Sequence, residues 1–234
     1  MQQTKVKLSY FTDILCIWAY IAQARLDELH RQMADKLEIE YHFLPIFSCT
    51  QSRVGEGWKD KGCYQGFSDH IKLVAGQFSH VKINPKIWTI NIPTTSANAH
   101  LFFKAVQLLQ QAQIISQEPQ KQFAGRNCFE EFVWQTRLAF FEHAQDISNF
   151  QVLFEIASQL QISVAEIEKH LQNGEAMAAL FKDIELKELY KIEGSPSYLL
   201  NEGRQKLYGN VSYNIIAANV HEIIEKPENS ASWC

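Results

Sequence analysis

The sequence predicts an α/β fold in which the two ends of the chain share one sheet and a large all-helical insertion lies between them. Three observations point there. The first 45 residues read strand, helix, strand. Strand-like segments return after Ser197. Between them, from Thr95 to Tyr190, the apolar residues recur with helical spacing throughout.

Lys5 to Phe11 is a short, largely apolar run that Thr12 and Asp13 break, and it reads as a strand. From Cys16 to about Lys36 the positions Ile17, Tyr20, Ile21, Ala24, Leu26 and Leu29 recur at helical intervals. Leu37 to Leu44 alternates, with Ile39, Tyr41 and Phe43 set against Glu38, Glu40 and His42, which predicts a strand with one covered face. Such a strand–helix–strand unit ordinarily makes two parallel strands with a right-handed crossover. Ser48 to Asn91 is irregular and carries Gly55, Gly57, Gly62, Gly66 and Gly76. A connection this long usually covers a site, and one short helix is expected in it around Phe67 to Phe78.

The helical block opens with Ala97 to Ala112, where Ala99, Phe102, Phe103, Val106 and Leu109 share a face. Gln122 to Glu142 continues it. Ser148 with Gln151, and Ser163 with Glu166, read as capping boxes, and Asn173-Gly174 as a helix stop before Glu175 to Tyr190. Ser197 to Leu200 and Lys206 to Gly209 then flank the hairpin-like turn Asn201-Glu202-Gly203-Arg204. A last helix is expected from Ser212 to about Glu225, ended by Pro227. The chain therefore divides into a discontinuous sheet-bearing domain (1–50 and 190–226), a connecting loop (51–94), a helical cap (95–189) and a C-terminal tail (227–234).

The 234 residues are 46% hydrophobic and 21% charged, with a formal net charge of −4. That balance suits a globular chain and gives no support to a nucleic-acid surface or an anionic-membrane patch. No apolar run reaches the roughly 18 residues of a membrane span. Met1 to Lys7 is polar, so a cytoplasmic location is expected. Five cysteines (Cys16, Cys49, Cys63, Cys128 and Cys234) are an odd, irregularly spaced set, which suits a reducing compartment better than a disulfide framework. No Cys-x-x-Cys pair is present, and Cys49, Cys63, His42 and His70 have no recognised ligand spacing, so neither a metal nor a bound cofactor is expected.

The sharpest feature is Cys16 in Asp13-Ile-Leu-Cys16-Ile-Trp18-Ala19-Tyr20, at the junction of a strand and a helix. Backbone N–H groups and the helix dipole stabilise an anion there, so the thiol pKa should fall and the sulfur become nucleophilic. The plain alternative is a buried small hydrophobe. Glu193-Gly194-Ser195-Pro196-Ser197-Tyr198 is the second feature. It is either an ordinary turn or a cis-proline loop that presents backbone to an extended substrate. Asp13 is either a buried acid exchanging a proton with Cys16 or a cap of the first helix. Trp18 reads as a site wall and Tyr20 as core. The Ser195 hydroxyl is placed to hydrogen-bond the thiolate. His100 either faces the cleft or is a satisfied polar side chain.

The segments SYFTDILCIWAYIAQARLDEL and IEGSPSYLLNEGRQKLYGNVSY, together with NAHLFFKAVQ and FEHAQDISNFQVLFEIASQLQI in the middle, span nearly the whole chain. They resemble the DsbA-like branch of the thioredoxin superfamily, especially its FrnE-type members; glutathione transferase kappa and 2-hydroxychromene-2-carboxylate isomerase share that branch. The resemblance implies a thioredoxin-like fold with a helical insertion. It implies Cys16 as the reactive thiol, with Asp13 beside it, and Trp18, Ser195 and a cis Pro196 as substrate-binding residues. FrnE-type proteins carry Cys-x-x-Cys, whereas Ala19 fills the second position here, so the site is monothiol. The usual dithiol exchange cycle is therefore in question.

Three routes follow. Glutathione resolves a mixed disulfide on Cys16 as co-substrate; a distant thiol does so, with Cys234 beside Trp233 in the tail as the candidate; or Cys16 replaces the serine of kappa-type relatives in a glutathione-dependent transferase or isomerase. A degenerate module that only captures a peptide is the non-enzymatic alternative. The implied partner is a thiol or disulfide substrate, protein or glutathione, or a small molecule. A homodimer is compatible with it.

Overall fold

A computed structural model describes residues 5–225. Four strands, β1 (Val6–Thr12), β2 (Leu37–Phe43), β3 (Ser197–Leu200) and β4 (Gln205–Tyr208), form one sheet in the order β2-β1-β3-β4. β1 is parallel to β2, and β3 is antiparallel to both β1 and β4. The parallel pair is joined by α1 (Ile17–Met33), as the opening strand–helix–strand pattern requires. The ends of the chain thus meet in the sheet: Tyr10 of β1 lies between Tyr41 of β2 and Tyr198 of β3.

The connecting segment is more ordered than its glycines suggested. A π-helical turn spans Gln51–Glu56, a 3-10 turn spans Lys59–Lys61, and α2 (Cys63–Ala75) starts earlier than the expected Phe67. Gly66 permits this, because a Cβ there would lie 1.6 Å from the Lys61 carbonyl oxygen. The insertion comprises α3 (Ala97–Gln111), α4 (Cys128–Phe141), α5 (Phe150–Gln159), α6 (Val164–Gln172) and α7 (Glu175–Leu189), and α3 packs against each of the other four. α8 (Tyr213–Glu225), the last described element, packs against α1 and β1.

Two helix starts differ from expectation. The Gln122–Glu142 helix begins only at Cys128, where Asn127 and Glu130 form a reciprocal capping box. The cap of α5 is Asn149, whose side chain accepts from Gln151 N–H, because the Ser148 hydroxyl is engaged by Asp146 and Thr94. Ser163 does cap α6, through Glu166 N–H.

β2 departs from its one-sided pattern. Tyr41, His42 and Phe43 are all buried, because α7 packs on the face that carries His42. The sheet is consequently covered on both sides. Leu8, Tyr10, Tyr198 and Leu200 join the main core, while Phe11, Leu44, Ile192 and Leu199 form a smaller cluster with Leu186 of α7.

Candidate active site

Cys16 ends the elbow between β1 and α1 and is the N-cap residue of that helix. Its sulfur lies 3.2 Å from the Ser195 carbonyl oxygen, to which the thiol donates. The Ser195–Pro196 peptide is cis. Residues 179 positions apart therefore meet at one sulfur.

Four groups fix the elbow. The Ser195 hydroxyl accepts from Asp13 N–H at 2.9 Å. The Asp13 carboxyl accepts from Leu15 N–H (2.8 Å), Phe47 N–H (3.0 Å) and the Ser96 hydroxyl (2.8 Å). His100 Nε2 accepts from Ile14 N–H at 3.1 Å. Arg137 donates to the Thr12 hydroxyl at 2.9 Å and to the Ala19 carbonyl at 2.7 Å. Ser96 precedes α3, His100 lies on α3 and Arg137 on α4, so the insertion holds the thiol-bearing turn in place.

A cavity of about 310 Å³ opens over the sulfur. Leu15, Cys16, Trp18 and Phe47 contribute to its wall, Arg53 and His70 reach it from the connecting segment, and Glu193 to Ser195 and Tyr208 close the opposite side. Gly194 makes room for that side, since a Cβ there would sit 2.9 Å from Tyr208 Oη. Trp18 is the wall residue expected of it. Tyr20 is core, as expected, with its hydroxyl turned to Glu142 and the Lys82 carbonyl.

The electrostatics correct one expectation. Burial pushes the Cys16 thiol up from its ordinary value, and the Asp13 charge adds to the rise. Hydrogen bonds from Ser195 and from the Ala19 and Trp18 backbone pull the other way without prevailing. The helix N-terminus is present as predicted, but Cys16 is only 9% exposed, and loss of hydration outweighs the amides. Asp13 caps no helix: α1 has no side-chain cap. Nor does the Asp13 carboxyl line the cavity, since its oxygens are taken by the three donors above. His100 is fully buried away from the cleft, with its pKa lowered to about 4 by burial. It is therefore neutral, and its 3.8 Å approach to Asp13 is no ion pair.

The sequence profile of the DSBA-like thioredoxin domain matches residues 7–220. The chain belongs to this family. Among solved structures, a putative protein disulfide isomerase from Nitrosomonas europaea is 13% identical with a TM-score of 0.68, covering 95% of this chain and 99% of its own. A probable DsbA oxidoreductase from Streptomyces coelicolor is 13% identical with a TM-score of 0.67, covering 98% and 93%. The cytosolic disulfide reductase DsbM from Pseudomonas aeruginosa, solved with GSH, is 16% identical with a TM-score of 0.63, covering 92% and 99%. A 2-hydroxychromene-2-carboxylate isomerase is 13% identical with a TM-score of 0.62, covering 97% and 100%. At these identities the likeness is one of fold. No curated protein matches the sequence.

In this DSBA-like chain Cys16, Trp18 and Ser195 meet at the cavity, and Pro196 holds the cis bond beside it. Cys234 lies outside the described residues. Cys49, Cys63 and Cys128 are free thiols absent from the cavity wall. Arg53, His70, Tyr208, Ser96 and Arg137 were missed from sequence; each reaches the site from a distant segment, and none carries a local motif. No group of described residues has the makings of a metal site, and no described helix is long and apolar enough to cross a membrane.

Proposed function

We propose that the protein is a monothiol disulfide oxidoreductase of the DsbA type, with Cys16 as the exchanging sulfur and glutathione as co-substrate in a reducing, cytoplasmic setting. The observation that carries this reading is the placement of the Cys16 sulfur at the foot of an open cavity, 3.2 Å from the cis-proline loop, with fully buried Ala19 in place of a second thiol. The Cys16 thiolate attacks a glutathionylated disulfide, forming a Cys16–glutathione disulfide and releasing the other sulfur as a thiolate. A second glutathione thiolate then attacks the glutathione sulfur, releasing Cys16 and oxidised glutathione. Trp18 supplies an aromatic wall to the bound tripeptide, and the Arg53 guanidinium, 5.0 Å from the Phe47 ring centre, offers a cation to one of its carboxylates.

The test is intact mass after treatment with oxidised glutathione, comparing wild type with Cys16→Ser and Cys234→Ser. One glutathione adduct, lost in Cys16→Ser and kept in Cys234→Ser, is expected. An internal link that depends on Cys234 replaces glutathione with the tail as resolver. A protein that takes up no glutathione at Cys16 sinks the oxidoreductase reading.

A second reading has an observation of its own. The raised Cys16 pKa suits a thiol that stays protonated and donates to a bound glutathione sulfur, as in a kappa-type transferase or isomerase. That reading expects saturable glutathione binding in calorimetry with no covalent adduct.

A further inference from the structure

Arg137 is fully buried, yet it makes no ion pair among the described residues. Its Nη1 donates to the Ala19 carbonyl at 2.7 Å and to Gln23 Oε1 at 3.0 Å, and its Nη2 to the Thr12 hydroxyl at 2.9 Å. All three acceptors are neutral, and Nε has no hydrogen-bond partner in the described structure. An interior cation is costly unless paired, and the sequence could have supplied a carboxylate at position 23 in place of glutamine. Among the described residues no carboxylate touches it, and Asp27, whose charged form it favours, is reached through Gln23.

Its location gives that charge a purpose. Thr12 is the last residue of β1, and Ala19 lies in the first turn of α1, where its N–H bonds back to the Cys16 carbonyl. One guanidinium therefore spans both sides of the elbow that carries Cys16. Because Arg137 stands on α4, the helical insertion reaches the thiol through it. We propose that Arg137 is a positioning residue for Cys16: its buried guanidinium, which no carboxylate touches, fixes the β1–α1 elbow and supplies a positive field that makes the buried thiolate attainable. The inference rests on Cys16 being the exchanging thiol.

The other titratable groups in that field do not annul it. Tyr10, Tyr41 and Tyr198 from the sheet and Tyr20 from α1 have pKa values raised by burial and are neutral near pH 7. His100 from α3 is neutral as well. Asp27 of α1 is engaged by Arg126 at 2.9 Å and touches Arg137 only through Gln23, though the Arg137 charge also acts on it across that gap. Asp13, within the elbow itself, is an acid that pushes Cys16 the other way.

The experiment follows the rate of Cys16 alkylation by iodoacetamide against pH, in the full chain with Cys49, Cys63, Cys128 and Cys234 replaced by serine. Arg137→Gln is expected to raise the Cys16 pKa by about one pH unit, and Arg137→Lys to restore most of that shift. A second variant keeps the arginine and cancels its charge: Gln23→Glu combined with Asp27→Asn moves one negative charge next to the guanidinium while leaving a donor for residue 23. It is expected to raise the pKa in the same direction, which keeps the test open if Arg137→Gln fails to fold. A folded Arg137→Gln protein, or the double variant, titrating as wild type overturns the inference. If wild-type Cys16 is alkylated at no pH, the proposed function fails instead.

Discussion

At the end of β2, Asp183 of α7 accepts from Phe43 N–H at 2.7 Å and meets His42 Nδ1 at 2.8 Å and Lys104 Nζ at 2.8 Å. At the β1–α1 elbow, Asp13 accepts only from two backbone amides and a serine, and Arg137 donates only to a carbonyl, an amide oxygen and a hydroxyl. Both clusters are buried, and both tie the sheet to the insertion. In the first, opposite charges touch and their fields cancel. In the second neither charge touches an opposite one, and the thiol lies on the turn that both brace. The difference teaches what each cluster is for: a closed pair fastens two elements, whereas separated charges leave a field that acts on a third group.

The largest stability effect belongs to the closed pair. Asp183→Ala leaves Lys104 as an interior cation with no carboxylate partner and is expected to cost about 3–5 kcal/mol in chemical denaturation, with the Cys16 titration unmoved. Burial alone would raise the Asp183 pKa, but the His42 hydrogen bond and the Lys104 charge lower it below the ordinary carboxylate value. A depressed folded-state pKa contributes stability that is complete above the unfolded value, about pH 4, and is lost as pH falls through the folded one. The part of the acid slope below about pH 4 that Asp183 contributes should therefore be missing from a folded Asp183→Asn variant; an unchanged slope would break the comparison.

His100 gives the next effect, in a different pH window. Its folded pKa of about 4 lies below the ordinary 6.5, so the unfolded chain takes up a proton that the folded one refuses. Nothing is lost above about pH 6.5; between there and about pH 4 stability falls with acidification, by about 3 kcal/mol in all. His100→Gln retains an acceptor for Ile14 N–H and should flatten that slope. Denaturation at pH 7 and pH 5 measures the difference directly.

What the sequence disclosed of this architecture was local. The elbow at Cys16, the Ser195-Pro196 loop, the β1–α1–β2 unit and the β3–β4 hairpin each announce themselves within about ten to forty residues, through periodicity or turn chemistry. The supports of the elbow do not. Ser96 reaches Asp13 across 83 residues, His100 reaches Ile14 across 86, and Arg137 reaches Ala19 across 118. In sequence each is an ordinary polar side chain, on an amphipathic helix for His100 and Arg137 and just before one for Ser96. The sign of the Cys16 shift was illegible for a related reason: a helix N-terminus can be read from spacing, but the burial opposing it comes from segments distant in sequence, the connecting segment and the Glu193–Ser195 loop, that wall in the sulfur. The two-sided burial of β2 was hidden in the same way, because α7, which covers its second face, lies over 130 residues downstream.

The smallest of these effects on stability, and the sharpest test of separated charges, is Asp13→Asn. The amide keeps one oxygen, so it still accepts from either Leu15 N–H or Phe47 N–H, and its NH2 group then points at the other donor. The Ser96 hydroxyl can rotate to accept from the amide. One backbone N–H is thus left without a partner, at a cost of about 1–3 kcal/mol, less than Asp183→Ala because no buried cation is stranded. The thiol should respond in the opposite sense to the loss of Arg137. Removing the Asp13 charge takes away a group that raises the Cys16 pKa, so the alkylation profile of Asp13→Asn should move to lower pH while that of Arg137→Gln moves to higher pH. Shifts in the same direction would mean that both substitutions merely loosen the elbow. Opposite shifts would mean that Cys16 titrates in the field between the two.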